Sequence, residues 1–365
     1  MQKIIPILLL YVTIFFACKQ SDGYVVTSKL QNFSDSLVFV VKDASEHIDT
    51  ILCKDGQFVI EGRVDSLTYF SLYIPQTGIW LDLWIENKDN IVITGNTKYP
   101  ELIEVRGNSI NNKLAEFKTN NQALLREKVD LYQQQQESAS DSLEGNSNEA
   151  SYSAKISNIE FQLKEKAEEF ILKNPKAYAS IILLRDYLAD TDNVEKLDTC
   201  LSLIRYPASN TQIYRQLEHL LYKTKQTSIG AVAPDFEIVD LKGNTISLAD
   251  FKEKYLFLTF AASWCDVCRK DNHELTKVYN KFHKKGLQMF TVSFDEEKAE
   301  WKSAAKEDNI EWTQAVDTHG WGAEMLNLYN ITSIPSNFLI DKEGVIIAKN
   351  LFGEELIEVI EEKLK

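Results

Sequence analysis

The sequence predicts a multidomain chain: an N-terminal all-β domain over residues 24–108, a central α-helical region over 109–228 and a C-terminal α/β domain over 229–365. Three observations predict it. Short apolar runs separated by turn residues fill the first part. Apolar residues at three-and-four spacing mark the second. The third alternates near-continuous apolar runs with amphipathic stretches, as strands covered on both faces by helices require. At 365 residues the chain is also too long for one ordinary core.

The elements follow in order. Lys3 precedes an apolar run from Ile4 to Ala17, and Cys18 comes next. That run is short for a bilayer span and suits the core of a signal peptide. It resembles a bacterial lipoprotein signal over residues 1–17, with Cys18 as the lipidated residue and 18–23 as a polar tether. Phe15 and Phe16 depart from that pattern, so plain cleavage and a retained anchor stay open. Each reading puts the remainder outside the cytoplasm. In the β domain the apolar runs are Ser36–Val41, Gln57–Ile60, Tyr69–Ile74, Ile79–Ile85 and Ile91–Thr94. Asp55-Gly56 is a tight-turn signal, and Gly62, Gly78, Gly95 and Gly107 punctuate the rest. A small β-sandwich or open sheet fits.

In the helical region, Ile156, Ile159, Leu163, Ala167, Phe170 and Ile171 form one face, which Asn174-Pro175 should end. Ile181, Leu184 and Leu188 mark another helix, and Ile213, Leu217, Leu220 and Leu221 a further one. Gln133–Ala150, rich in Gln, Ser, Asn, Asp and Glu, reads as a loop or frayed helix end. The region reads as a spacer, with a dimerisation element or substrate platform as alternatives.

The C-terminal domain opens with a hairpin (Phe236–Leu248) turning at Lys242-Gly243-Asn244, then a buried strand (Tyr255–Ala261) and Ser263-Trp264-Cys265-Asp266-Val267-Cys268. A helix bearing Leu275, Val278, Tyr279 and Phe282 follows, then a strand (Leu287–Phe294) and helices over Lys298–Asp308 and Gly322–Tyr329. The chain closes with Ile334-Pro335, strands Asn337–Ile340 and Val345–Lys349, and a helix over Glu354–Leu364.

The stretches FAASWCDVCRK, SFDEEKAEW and ITSIPSNFLIDKEGVIIAKN resemble the TlpA/ResA-like thiol–disulfide oxidoreductases of bacterial envelopes. GAVAPDFEIVDLKGNTISLADFKEKYLFLTF resembles the start of the same domain, which is grouped with the AhpC/TSA superfamily. The resemblance spans the C-terminal domain and implies a thioredoxin-like fold. IDTILCKDGQFVIEGRV and WIENKDNIVITG resemble a domain that often precedes thioredoxin modules in envelope lipoproteins, where its function is obscure.

Disulfide exchange needs an attacking thiolate and a second thiol that releases the mixed disulfide. Cys265 and Cys268 are three apart, so one helical turn brings their sulfurs together. They fall where a buried strand gives way to a helix, whose unpaired N–H groups and positive potential favour a thiolate on the first cysteine. Cys265 is therefore the expected nucleophile and Cys268 the resolving thiol. By resemblance, Trp264 walls the site. Pro335 matches a cis proline facing the cysteines, so the Ile334-Pro335 segment can pair with an extended client. Asp266 and Val267 replace the more common glycine and proline. The Asp266 carboxylate disfavours a neighbouring thiolate, which leans the site towards reduction. Thr259 stands where thioredoxins place a buried acid, leaving the proton relay unassigned, with Asp266 a weak candidate. His273 replaces a frequent helix-kinking proline.

No cofactor is expected beyond the redox-active Cys265–Cys268 disulfide, and no metal, since zinc would need two more ligands and neither His273 nor His319 is suitably spaced. A thiol peroxidase is an alternative that the superfamily covers, but Thr259–Trp264 lacks its proline and hydroxyl arrangement. A redox-inert binding lipoprotein is the other. Cys53 and Cys200 read as buried thiols or as a bridge between the first two domains. His47, His219 and His283 have no constellation around them. The formal net charge of −14 argues against nucleic acid as a partner. No nucleotide motif is present, so electrons must come from a partner's thiols. The resemblance implies protein thiol and disulfide clients, apocytochrome c or misoxidised envelope proteins among them. It also implies a membrane thiol donor of the DsbD/CcdA kind and a membrane-anchored place in the cell envelope.

Overall fold

A computed structural model describes residues 22–43, 47–141, 149–189 and 194–364, apart from the side chains of 139–141 and 149–150. The signal-type segment 1–17, Cys18 and most of the 18–23 tether lie outside the described residues. The chain forms two compact units. The first holds the described residues up to Leu188 together with Ile204–Ala208, and the second those of Ala189–Leu203 and Ser209–Lys365.

The first unit begins with eight strands: β1 (Tyr24–Gln31), β2 (Leu37–Lys42), β3 (Ile48–Leu52), β4 (Val59–Gly62), β5 (Thr68–Ile74), β6 (Ile79–Ile85), β7 (Asn90–Asn96) and β8 (Glu104–Arg106). They make two four-stranded sheets, ordered β4-β1-β7-β8 and β3-β2-β5-β6. β1 and β7 pair in parallel and the other neighbours are antiparallel. Burial alternates along β1 and β5, so each sheet turns one face inward. Val26, Phe70, Leu72, Leu83 and Ile91 meet in one core. Helices α1 (Ser109–Asn120), α2 (Gln122–Asp141), α3 (Glu149–Lys173) and α4 (Tyr178–Leu183) follow, and α4 runs on as a π-helical turn, Leu184–Leu188. Asn108 caps α1 by accepting the Asn111 N–H at 2.9 Å. α2 continues well past Gln133, into the stretch whose composition suggests a loop or a frayed helix end. Its Gln and Glu residues are good helix formers despite their polarity.

The second unit opens with α5 (Val194–Leu203) and α6 (Gln212–Gln226), linked by a 2.6 Å ion pair between Lys225 and Asp198. The helical region is thus divided, with its last two helices joining the C-terminal unit. The Asn330 amide donates to the Thr224 hydroxyl of α6 at 3.1 Å, and Lys223 to the Asn327 carbonyl at 3.3 Å. The remaining elements are β9 (Glu237–Val239), β10 (Thr245–Ser247), β11 (Tyr255–Ala261), α7 (Asp266–Phe282), β12 (Leu287–Ser293), α8 (Lys298–Glu307), β13 (Thr313–Val316), α9 (Glu324–Leu328), β14 (Ser336–Ile340), β15 (Ile346–Lys349) and α10 (Gly353–Lys363).

β9 and β10 form a hairpin, and five strands form a mixed sheet ordered β13-β12-β11-β14-β15. β11 lies at its centre, parallel to β12 and antiparallel to β14. Phe260, Phe290, Tyr329 and Phe338 pack on one face. Phe257, Leu275, Phe282, Leu356 and Ile360 pack on the other. This two-sided burial is why the Tyr255–Ala261 run is apolar almost throughout. Thr259 is a buried member of this strand, 3% exposed. β13 is an additional edge strand that periodicity did not reveal.

Candidate functional site

The site forms where β11 ends and α7 begins. Cys265 is the N-cap of α7, and the Cys268 backbone N–H points at its sulfur at 3.1 Å. The first turn of a helix leaves such N–H groups without intrahelical partners, so they are available to a negative sulfur. Cys265 and Cys268 are joined as a disulfide with Cα atoms 5.2 Å apart. Their surroundings differ. Cys265 is half-buried, whereas Cys268 is 1% exposed. Cys268 packs with Ala261, Trp301, Ala305 and Val316, and Cys265 and Ile334 lie at the edge of that cluster.

The expected partners gather around Cys265. The Ile334-Pro335 peptide is cis, and the Ile334 carbonyl oxygen lies 4.0 Å from Cys265 Sγ. The Asn337 side chain steadies the segment that follows, donating to the Leu351 carbonyl and accepting the Leu351 N–H, both at 2.9 Å. Trp264 is 55% exposed, with its ring centroid 6.3 Å from that of Trp321. Asp266 is exposed at the first position of α7. α7 runs through His273 without interruption.

Five further residues shape the site, and sequence reasoning singled out none of them. Asp295, fully buried just beyond β12, accepts the Ser263 N–H at 3.2 and 3.0 Å. It also accepts the Ser263 and Ser293 hydroxyls. It therefore anchors the loop that carries Trp264 and Cys265. Arg269 grips Asp308 with two nitrogens, at 2.6 and 2.8 Å, and the Asn272 amide adds a 2.8 Å bond to the same carboxylate. These contacts raise the Arg269 pKa, the Asp308 bond foremost. They tie the start of α7 to the end of α8.

Asp271 stands three residues beyond Cys268, hence on the same helix face. Burial, with Glu274 adding to it, pushes its carboxyl up to about 6. The signal that could have found Asp271 is its helical spacing from Cys268. Asp295 could have been found as a carboxylate directly after a buried strand.

Cys53 and Cys200 both carry thiols rather than a disulfide, Cys53 half-buried and Cys200 buried. Burial raises the Cys53 pKa. His319 binds Asp317 at 2.7 Å, and among the described residues no group of three or more His, Cys, Asp or Glu side chains could hold a metal ion. The first unit holds a separate cavity of about 420 Å³ lined by Trp80, Trp84, Lys118 and Tyr187 among others. Lys118 there donates to the Ile103 carbonyl at 2.8 Å, and burial lowers its pKa.

Two family models match the chain. Residues 229–349 match the AhpC/TSA family and residues 19–114 match a Domain of unknown function (DUF4369). Among curated proteins, the Thiol-disulfide oxidoreductase ResA of Bacillus thuringiensis subsp. konkukian is 35% identical over 143 residues, 39% of this chain and 80% of the relative. ResA of Bacillus anthracis is 31% identical over 141 residues, 39% of this chain and 79% of the relative. The C-terminal domain of a putative thiol-disulfide oxidoreductase from Bacteroides thetaiotaomicron is a similar solved structure. It is 40% identical with a TM-score of 0.37, covering 38% of this chain and 97% of that one.

Proposed function

The chain belongs to the ResA family of thiol–disulfide oxidoreductases, and we propose that Cys265 and Cys268 carry its reaction, reducing disulfides of protein clients. The observation that carries this is the asymmetry of the pair: one sulfur half-buried at a helix N-cap, its partner sealed one turn inside.

In the reduced enzyme the Cys265 thiolate attacks one sulfur of a client disulfide. The client's other sulfur leaves and takes up a proton. Cys268 then loses its proton and attacks Cys265 Sγ, expelling the second client thiol and closing the pair into a disulfide. Counted from the dithiol, whose Cys265 proton is released to solvent on ionisation, the enzyme loses two electrons and two protons and the client gains the same. During attack, the Cys268 N–H and its neighbours in the first helical turn stabilise negative charge on Cys265. Asp271 is the proton acceptor for Cys268. Its raised pKa of about 6 lets it exchange protons near neutrality. Asp266 biases the pair towards reduction by disfavouring the Cys265 thiolate electrostatically.

Two electrons must then return from a partner's thiols. A membrane thiol transporter of the DsbD/CcdA kind suits an enzyme in the cell envelope, held there by a lipid on Cys18. Among the described residues no helix is long and apolar enough to cross a membrane.

Insulin reduction by the full chain, with dithiothreitol as donor, tests the reaction. Turnover that vanishes in Cys265→Ser is expected. Turnover surviving that substitution overturns the assignment, and hydrogen peroxide consumption exceeding insulin reduction points to the peroxidase alternative.

A further inference from the structure

Trp321 takes no part in the exchange chemistry, yet it stands 55% exposed beside an equally exposed Trp264. The two rings are 6.3 Å apart and inclined at 50°, which leaves apolar surface from both open to solvent. Trp264 is the covalent neighbour of Cys265, so this surface is continuous with the redox centre.

Both rings are presented from braced loops. The Ser263–Asp295 hydrogen bonds hold the loop of Trp264. Trp321 sits in a tight turn where the Gly322 N–H donates to the His319 carbonyl at 2.9 Å and the Ala323 N–H to Gly320 at 3.1 Å. Gly320 adopts the left-handed φ of 54° that the turn requires. Asp317 fastens both ends, accepting the His319 N–H at 3.3 Å and the Glu324 N–H at 3.1 Å. Backbone braced this way loses little freedom on binding, and tryptophan is among the residues that concentrate binding energy at interfaces.

The Ile334 carbonyl, 4.0 Å from Cys265 Sγ, offers a client backbone an acceptor beside the redox pair. An extended segment that offers an N–H to the Ile334 carbonyl has its cysteine at Cys265. Side chains one or two residues along then fall within about 7 Å of it, in reach of the indoles. Asp266 and Glu296, the latter beside Gly320, disfavour an acidic side chain there.

We propose that Trp264 and Trp321 together form a subsite for an aromatic side chain next to the client cysteine, so that disulfides flanked by Phe, Tyr or Trp are preferred. This rests on the redox reading above. The test uses the reduced full chain and two extended peptides, each linked through one cysteine to glutathione, differing only in Phe or Ser beside that cysteine. Wild type is expected to reduce the Phe peptide with a kcat/KM about tenfold higher, mostly through KM. In Trp321→Ala the ratio of the two peptides should fall close to one, and Trp321→Phe should restore most of it. Equal rates in wild type, or an unchanged ratio in Trp321→Ala, would overturn the proposal. Reduction of neither peptide would instead overturn the redox reading beneath it.

Discussion

The buried carboxylate of Asp295 holds Ser263 by both its backbone N–H and its hydroxyl, and so fixes the loop two residues before Cys265. Asp295→Ala strips partners from both serine hydroxyls and from the Ser263 N–H. Hydrogen bonds to charged groups contribute about 1.5–3 kcal/mol each but do not add fully, so a loss of about 3 kcal/mol is expected. Urea unfolding with an unchanged m-value checks it. Insulin reduction should fall as well, because the Cys265 loop loses its anchor.

Asp271 makes stability depend on pH with a definite sign. Its carboxyl is raised from 3.8 to about 6 in the fold, so the unfolded chain ionises first and the charged form is disfavoured in the native state. The stability present below about pH 4 is therefore lost as pH rises to about 6, and no further loss from this group follows above that. Asp271→Asn removes the penalty. The variant should gain on the order of 1–2 kcal/mol at pH 8, discounted for the group's partial exposure, and nothing below pH 4. Its insulin-reduction profile should also lose the acid limb near pH 6, since the proton acceptor is gone.

The Arg269–Asp308 pair locates the start of α7 against α8. Asp308→Ala leaves the guanidinium and the Asn272 amide facing a buried void, while Glu307 at 3.1 Å compensates Arg269 only in part. A loss of about 2–4 kcal/mol is expected, less than for a fully buried pair because Arg269 reaches solvent. Arg269→Lys should cost about 1 kcal/mol or more, since a lysine cannot reproduce the two-pronged contact. Thermal unfolding of both variants measures this.

Some features were readable from sequence because their cause is local. Tyr255–Ala261 is apolar but for Thr259 because both sheet faces are covered, and Cys265 and Cys268 declare themselves by spacing at a strand-to-helix junction. Thr313–Val316 escaped notice because an edge strand of four residues, two of them polar, has no periodicity to detect. Asp295 and Asp308 owe their roles to partners 32 and 39 residues away, which the residues themselves do not encode. The stripe on α6 announced a buried face. Only the fold shows that the face belongs to the C-terminal unit, through Thr224 and Asn330. Asp271 was within reach of the sequence by spacing, but its raised pKa depends on burial that spacing does not report.

Trapping of mixed disulfides on the reduced full chain tests the division of labour between the two cysteines most directly. Cys268→Ser, offered a disulfide-bonded protein, should accumulate a covalent complex through Cys265 that dithiothreitol dissolves, while Cys265→Ser should form none. Accumulation on Cys265→Ser instead, or on neither variant, would contradict the account.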